Sequence, residues 1–312
     1  MHILFLTDNF PPEVNAPASR TYEHAREWVA AGHQVTVITC APNFPKGRVF
    51  DGYRNRLWQS EEMAGIRVIR VWSYITANEG FARRIADYVS YMFSAVLAAL
   101  FVRRVDLIVA TSPQFFTAVA GWMVSVLKWK PWVFELRDLW PESIRAVGAM
   151  RDSVLLDRVE DLELFLYHRS TAVVVVTEAF RNNLIGRGIP AEKIHVITNG
   201  ADLARYKPQP KDAGLLADLA LQDKFVLGYI GTMGMAHGLD TVLDAAKILA
   251  ATAGMIDVRI VMLGDGAQKP ALRARAAAEG ISNVIFCDSV SKEEVTRYWS
   301  LLDISLIHLK RN

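Results

Sequence analysis

The stretch that most limits what this chain can become is Phe225–Ala246, FVLGYIGTMGMAHGLDTVLDAA. Its apolar opening, Phe225 to Ile230, is short and β-rich, as a buried parallel strand requires. Three glycines follow, Gly231, Gly234 and Gly238. Leu239, Val242, Leu243 and Ala246 then recur at spacings of three and four, the buried stripe of a helix. Strand, glycine loop and helix together aim backbone N–H groups and the positive end of a helix dipole at one point, where a phosphate is stabilised. A flexible connector without a ligand has the same composition, and the loop matches neither G-x-G-x-x-G nor G-x-x-x-x-G-K-[ST]. The stretch therefore indicates an α/β layer and leaves its ligand open.

The same alternation runs through the chain. Strands are expected at His2–Thr7, Gln34–Thr39, Ile66–Trp72, Val105–Ala110, Pro131–Leu136, Ala172–Val176 and Ile194–Ile197, then at Phe225–Ile230, Val258–Leu263, Val284–Phe286 and Asp303–His308. With 312 residues, 52% of them hydrophobic, the chain exceeds one ordinary core, so two domains are expected. The proline- and lysine-rich segment Tyr206–Gly214 marks the boundary near residue 205, giving 1–204 and 205–312. A net charge of +2 with both signs interspersed argues against a dedicated nucleic-acid surface. Cys40 and Cys287 have no metal-ligand spacing and fit a reducing cytoplasm. The opening MHILFLTD is cut by Asp8 and lacks a basic leader, so it reads as a first strand and not as a signal peptide.

Candidate site residues fall at the ends of these strands. Asp8–Ser19 contains no glycine, which counts against a nicotinamide or flavin pyrophosphate there. Asn15, Ala16 and Ser19 are small, so a ligand could still approach the helix expected at Arg20–Ala31. Arg20 and His24 on that helix read as solvated surface, with a cleft-facing role as the alternative. Ala41–Arg56, polar and aromatic, reads as a functional loop. Pro131–Leu136 ends in Arg137-Asp138, charges at the carboxyl end of a buried strand, where open α/β sheets bind ligands. A structural ion pair closing the loop is the competing reading. Gly264-Asp265-Gly266 is a second glycine turn at a strand end. Asp157, Glu160, Asp161 and Glu163 read as a solvated helix face, and no Asp-x-Asp is present to suggest a metal-diphosphate site.

Arg83–Arg104 is a helix with an almost wholly apolar centre, Ile85–Val102, flanked by arginine pairs. Its length is near the lower limit for a bilayer span, but Asp87, Tyr88, Ser90, Tyr91 and Ser94 interrupt it. Packing on the sheet is the first reading, packing with contact to a membrane surface the second, and a true span the third. Trp122, Lys128, Trp129, Lys130 and Trp132 follow, a composition that suits either a core or a lipid interface.

Taken in order, LTDNFPPEVNAPASRTYEHAREWVAAGHQVTVIT, RDLWPES, VVVVTEAFRNNLIGRGIPAEKIHVITNGAD, GYIGTMGMAHGLDTVLDAA, GDG and NVIFCDSVSKEEV resemble a family 4 glycosyltransferase of the GT-B fold. They are most similar to the bacterial fucosamine and related sugar transferases of surface-polysaccharide synthesis. The resemblance implies two Rossmann-like, doubly wound domains facing a cleft, with a nucleotide-sugar held mainly by the second. It implies a retaining, metal-independent transfer to a lipid-diphosphate-linked glycan, in the cytoplasm or at the inner face of its membrane. By position, Gly231, Thr232, His237 and Gly238 would face the diphosphate, and Asp265 and Gly266 the nucleotide. Arg137 and Asp138 would stand where many members have His-Asp beside the donor sugar.

Three departures from the family pattern carry consequences. Asn15-Ala16 stands where many relatives have a glycine pair. Thr232 and His237 stand where many have Arg and Lys, so Lys310 or Arg311 is the expected cation for the leaving diphosphate. The family's two glutamates eight positions apart would fall beyond residue 312, so the chain reads as truncated and inactive as it stands. Two rivals are weighed. A NAD-dependent nucleotide-sugar epimerase needs a Tyr-x-x-x-Lys pair, yet Tyr167 is followed four later by Thr171 and Tyr298 by Leu302. A non-catalytic nucleotide-sugar-binding scaffold would tolerate the altered diphosphate loop.

Overall fold

The computed structural model describes residues 1–44, 47–76, 81–139 and 154–310. The chain divides into two compact units, Met1–Asn199 and Gly200–Asn312, a few residues before the expected boundary.

In the first unit, β1 (His2–Leu6), α1 (Ala16–Ala30), β2 (Gln34–Cys40), β3 (Trp58–Met63), β4 (Ile66–Val71), α2 (Phe81–Phe101) and β5 (Leu107–Thr111) are followed by α3 (Phe115–Lys128), β6 (Trp132–Glu135), α4 (Val154–Arg169), β7 (Ala172–Val175), α5 (Glu178–Gly186) and β8 (Ile194–Val196). The eight strands lie in the order β3-β4-β2-β1-β5-β6-β7-β8, parallel except for β3, which runs antiparallel to β4. Residue alternation along β1 divides the core. Ile3 and Phe5 pack with Trp28 and Tyr22 of α1, whereas Leu4 and Leu6 pack on the opposite face with α2 and α3. Tyr91 of α2 is fully buried, and its hydroxyl lies 2.8 Å from the carbonyl oxygens of both Thr7 and Ile38, fixing α2 across the strand ends.

The structure departs from the sequence reading at several points. Helix α1 begins at Ala16, four residues earlier than expected, because Asn15 caps it and Pro17 suits its first turn. Strand β3 falls just past the expected loop; its WQSEEM sequence has no apolar run and pairs only as an edge. Helix α3 supplies the chain between β5 and β6, where no element is expected. The acidic run on α4 is not uniformly solvated. Glu163 is buried, accepts from Tyr167 at 2.7 Å and from Arg187 at 2.7 Å, and so locks α4 to the end of α5.

The second unit contains α6 (Ala213–Asp218), β9 (Phe225–Ile230), α7 (Asp240–Ala251), β10 (Val258–Leu263), α8 (Lys269–Ala278), β11 (Val284–Cys287), α9 (Val295–Leu301) and β12 (Ile304–Ser305). Its parallel sheet has the order β11-β10-β9-β12. Helices α7 and α8 cover one face, with Leu243, Ala246 and Leu272 over Tyr229, Ile260 and Met262. Helices α6 and α9 cover the other, with Leu215 and Leu301 against Val226, Val261 and Leu263. Helix α6 begins at the end of the segment Tyr206–Gly214 that marks the expected boundary, and the sequence reading does not foresee it. Ile304 on β12, and Ile307 and Leu309 in the segment that leaves it, are exposed.

Candidate functional site

Both sheets turn back on their first strand. In the first unit β2 lies on one side of β1 and β5 on the other; in the second, β10 and β12 flank β9 in the same way. Loops leaving adjacent strands at such a point run to opposite faces and open a crevice beyond the carboxyl edge. Both units place their concentrated polar groups there.

In the first unit the loops after β1 and β5, with the start of α2, line a cavity of about 290 Å³. Asp8, Glu13, Asn15, Asp87, Tyr88 and Gln114 face it. Glu13 organises the loops: its Oε1 accepts from the backbone N–H of Asn43 at 2.8 Å and of Phe44 at 2.9 Å. Asn15 is engaged as the cap of α1, accepting from the Ala18 N–H at 2.8 Å, and donates to Asn9 Oδ1 at 2.6 Å. It therefore edges the cavity from a fixed position, and Ala16 is the first residue of the helix behind it. Burial pushes the Asp8 carboxyl up to about 8, reinforced by the charges of Asp87 and Glu13. Burial also raises Asp87, to about 6, with the Ser73 hydroxyl opposing the rise. Near neutrality Asp8 is thus an uncharged acid that can donate a hydrogen bond.

Beside this cavity a second group surrounds Glu135, a buried carboxylate at the end of β6 that the sequence reading passed over as part of a strand. Arg20 reaches it at 3.4 Å, His24 at 3.3 Å and Arg137 at 3.6 Å. Burial alone would raise this carboxyl. The His24 hydrogen bond, the Arg20 charge and the Thr111 hydroxyl outweigh burial and hold it at about 2. Arg20 and His24 therefore turn inward to Glu135, correcting their assignment to solvated surface. Glu135 draws them inward, and the buried Arg20 Nε has no hydrogen-bond partner. The Arg137 N–H donates to Ser112 Oγ at 2.7 Å, and its guanidinium bonds Asn199. Burial and the neighbouring Arg20 lower the Arg137 guanidinium to about 10. Asp138 is raised by burial, with Arg137 and Arg20 opposing the rise. Residues 140–143 of the RDLWPES motif lie outside the described residues. A Glu one residue before the end of an apolar strand and two before an Arg was the available signal for Glu135.

In the second unit the two glycine turns are knitted together. The Met233 N–H donates to the Asp265 carbonyl at 2.8 Å, and the Gln268 N–H to the Met233 carbonyl at 2.9 Å. A Cβ on Gly264 would collide with the Gly231 carbonyl, and one on Gly266 would stand 2.5 Å from that of Met233. Glycine is required here for backbone to meet backbone. This corrects one expectation: the N–H groups of Gly231 and Met233 are spent on Leu263 and Asp265 and do not face a ligand. Thr232 is exposed at the tip, its carbonyl accepting from Tyr229 at 2.6 Å. Asp265 is exposed, with its carboxylate capping the Gly266 N–H at 2.8 Å.

The chain leaving β12 crosses this loop. His308 Nδ1 lies 2.5 Å from the His237 carbonyl, the Lys310 N–H donates to the Ala236 carbonyl at 2.9 Å, and the Lys310 stem packs on Gly238. Lys310 thus stands beside the loop; Arg311 lies outside the described residues. Lys269, which the sequence reading did not single out, is buried beneath the turns. Its ammonium donates to the Gly264 carbonyl at 2.8 Å, the Cys287 carbonyl at 2.9 Å and Asp288 at 2.6 Å. Among the described residues no group of three or more His, Cys, Asp or Glu is placed to hold a metal ion.

Family models match both units: a glycosyl transferase 4-like domain over residues 15–200 and glycosyl transferases group 1 over 224–311. The chain is 26% identical to a protein of Escherichia coli K12 named as a colanic acid biosynthesis glycosyl transferase, WcaI, covering all of this chain and 77% of that one. Among solved structures it resembles sucrose-phosphate synthase from Thermosynechococcus elongatus (TM-score 0.72, 14% identity, 98% of this chain and 75% of that one). It also resembles HepE from Anabaena, solved with UDP-glucose (TM-score 0.66, 19% identity, 98% of this chain and 73% of that one). These likenesses identify the fold as GT-B.

Proposed function

Because this chain belongs to the glycosyl transferase 4-like family, and is a glycosyltransferase, we propose that it moves a sugar from a UDP-linked donor to a lipid-diphosphate-linked glycan during synthesis of a surface polysaccharide. The observation that carries the reading is the contrast between the two crevices. That of the second unit offers the N-terminal end of α7 and the basic Lys310 side chain, whose stem packs on Gly238, and these suit a diphosphate. That of the first offers carboxyl, amide and phenol groups, which suit sugar hydroxyls. HepE, with UDP-glucose bound, and WcaI, named for colanic acid synthesis, support the donor and the pathway class.

Negative charge grows on the departing diphosphate, and preorganised donors that meet it lower the barrier. Lys310 and the N-terminal end of α7 would supply them, without a resident metal. Asp138, held beside Arg137, would orient the acceptor hydroxyl and take its proton late, with the sugar leaving and arriving on the same face. Arg137 would hold the sugar or a phosphate oxygen.

Thermal-shift screening against UDP, GDP, NAD and UDP-sugars, followed by UDP titration of the parent and Lys310→Ala, tests this. Stabilisation by UDP or a UDP-sugar is expected, with affinity about tenfold lower in the variant, the worth of one charge-assisted hydrogen bond. Stabilisation by NAD alone ends the transferase reading. UDP affinity unchanged in the variant removes Lys310 from the site.

A further inference from the structure

Helix α2 is apolar on both of its faces. Tyr91, Met92, Ala95, Val96 and Ala99 are buried against the sheet, whereas Phe93, Leu97, Leu100 and Phe101 point outward and are exposed. No charged residue occurs between Asp87 and Arg103. A helix that faces water on its outer side normally carries charge there. This one, Arg83–Phe101, is long and apolar enough to cross a bilayer by length and composition, yet its inner face is committed to the core.

Two further segments enlarge the outward face. The Lys128 ammonium donates to the Val102 carbonyl at 2.8 Å, bringing the end of α3 beside the end of α2. Val126 and Leu127 are exposed there, and Trp129, in the left-handed conformation that ends α3, is 90% exposed. Trp58 at the start of β3 meets Phe101 edge to face, with ring centroids 6.3 Å apart, and Leu57 beside it is exposed. Three separate segments thus contribute large apolar side chains to one end of the unit, a concentration that marks an interaction surface.

Charge identifies the partner. Arg56, Arg103, Arg104 and Lys130 are exposed in the same segments. Of the acids in these segments, Asp106 has a carboxylate accepting from the His2 N–H at 2.7 Å, and Glu62, on the Trp58 face of β3, stands opposite the exposed Arg67 on β4, so the net charge of the rim stays basic. A second copy of this chain related by a two-fold axis would bring the basic rim against itself. An anionic bilayer takes both parts: acyl chains receive Phe101, Leu97 and Trp129, and lipid phosphates receive the arginines. We infer that the outer face of α2, with the ends of α3 and β3, docks this unit onto an anionic membrane surface. The inference goes beyond sugar transfer and does not depend on it.

The geometry gives docking a use. Arg84, Asp87 and Tyr88, in the amino-terminal half of the same helix, line the cavity of the first unit. One helix would then carry the lipid-facing surface at one end and the polar cavity at the other, a few turns apart along its axis.

Co-sedimentation of the 312-residue chain with vesicles rich in phosphatidylglycerol, and with vesicles of phosphatidylcholine alone, tests the inference. Binding at least tenfold tighter to the anionic vesicles is expected. The double variant Phe101→Glu, Trp129→Glu alters only exposed positions, so its thermal unfolding should match the parent while vesicle binding falls at least tenfold. The double variant Arg103→Glu, Arg104→Glu should lose the preference for anionic lipid. A parent left in the supernatant with both vesicle types, or either variant sedimenting as the parent does, overturns the inference. So does a dimer seen by light scattering that the first variant dissolves while the parent ignores vesicles. UDP affinity, titrated as for the Lys310 variant, should match the parent in both double variants, so docking and donor binding fail separately.

Discussion

Glu135 shows how one side chain can define a site. Its ordinary value near 4.5 falls to about 2 because His24, Arg20 and Thr111 outweigh the cost of burying it. A carboxyl whose folded value is depressed lends stability above its unfolded value and loses it as pH falls through the folded one. The shift corresponds to about 3 kcal/mol at neutral pH. Glu135→Gln should therefore lower unfolding free energy by about 3 kcal/mol at pH 7, with Arg20 and Arg137 left facing a neutral amide. The gap should shrink to less than half near pH 3. Urea melts at the two pH values measure it, and a gap independent of pH would mean that the carboxylate charge is not what holds the group together.

At the scale of elements, the two glycine turns act as one device. Gly264 has φ +141° and no room for a Cβ beside Gly231, whereas Gly254 has φ +80° with nothing within 4 Å. Gly264→Ala should cost about 2–4 kcal/mol, combining backbone strain with displacement of the facing loop. Gly254→Ala should cost only the left-handed penalty, about 1 kcal/mol. Chemical denaturation of both variants separates the two effects; equal losses would show that the close approach of the turns carries no energy. Legibility in the sequence follows the same division. Strands such as Phe225–Ile230 and helices such as α7 were readable because periodicity records which face is buried. Strand β3 was not, since an edge strand with one solvated face need not be apolar, and α3 was hidden because its outward residues, Val126 and Leu127 among them, are as apolar as its buried ones, so the contrast between faces is lost.

At the scale of the whole molecule, each unit has its own sheet and its own core. If the donor belongs to the second unit, UDP should slow amide exchange in 231–238 and 264–266 while leaving 8–15 unchanged, as hydrogen-exchange mass spectrometry can resolve. Protection confined to 8–15 would reverse the assignment of donor and acceptor. The amino-acid sequence alone determined the α/β alternation, two units and the strand ends where polar residues collect, because burial and turn chemistry are local and leave periodic traces. It also placed Asn15, Arg137 and Asp138 at those ends, and Gly231, Gly238 and Lys310 in the second unit. Only the tertiary structure decided which of these meet. Arg20 and His24 turn inward because Glu135, more than a hundred residues away in the chain, compensates their burial. Likewise, the N–H groups of Gly231 and Met233 are withdrawn from any ligand because the Gly264–Gly266 turn folds onto them. Pairings of that kind depend on strand order, and strand order is set by how whole layers pack.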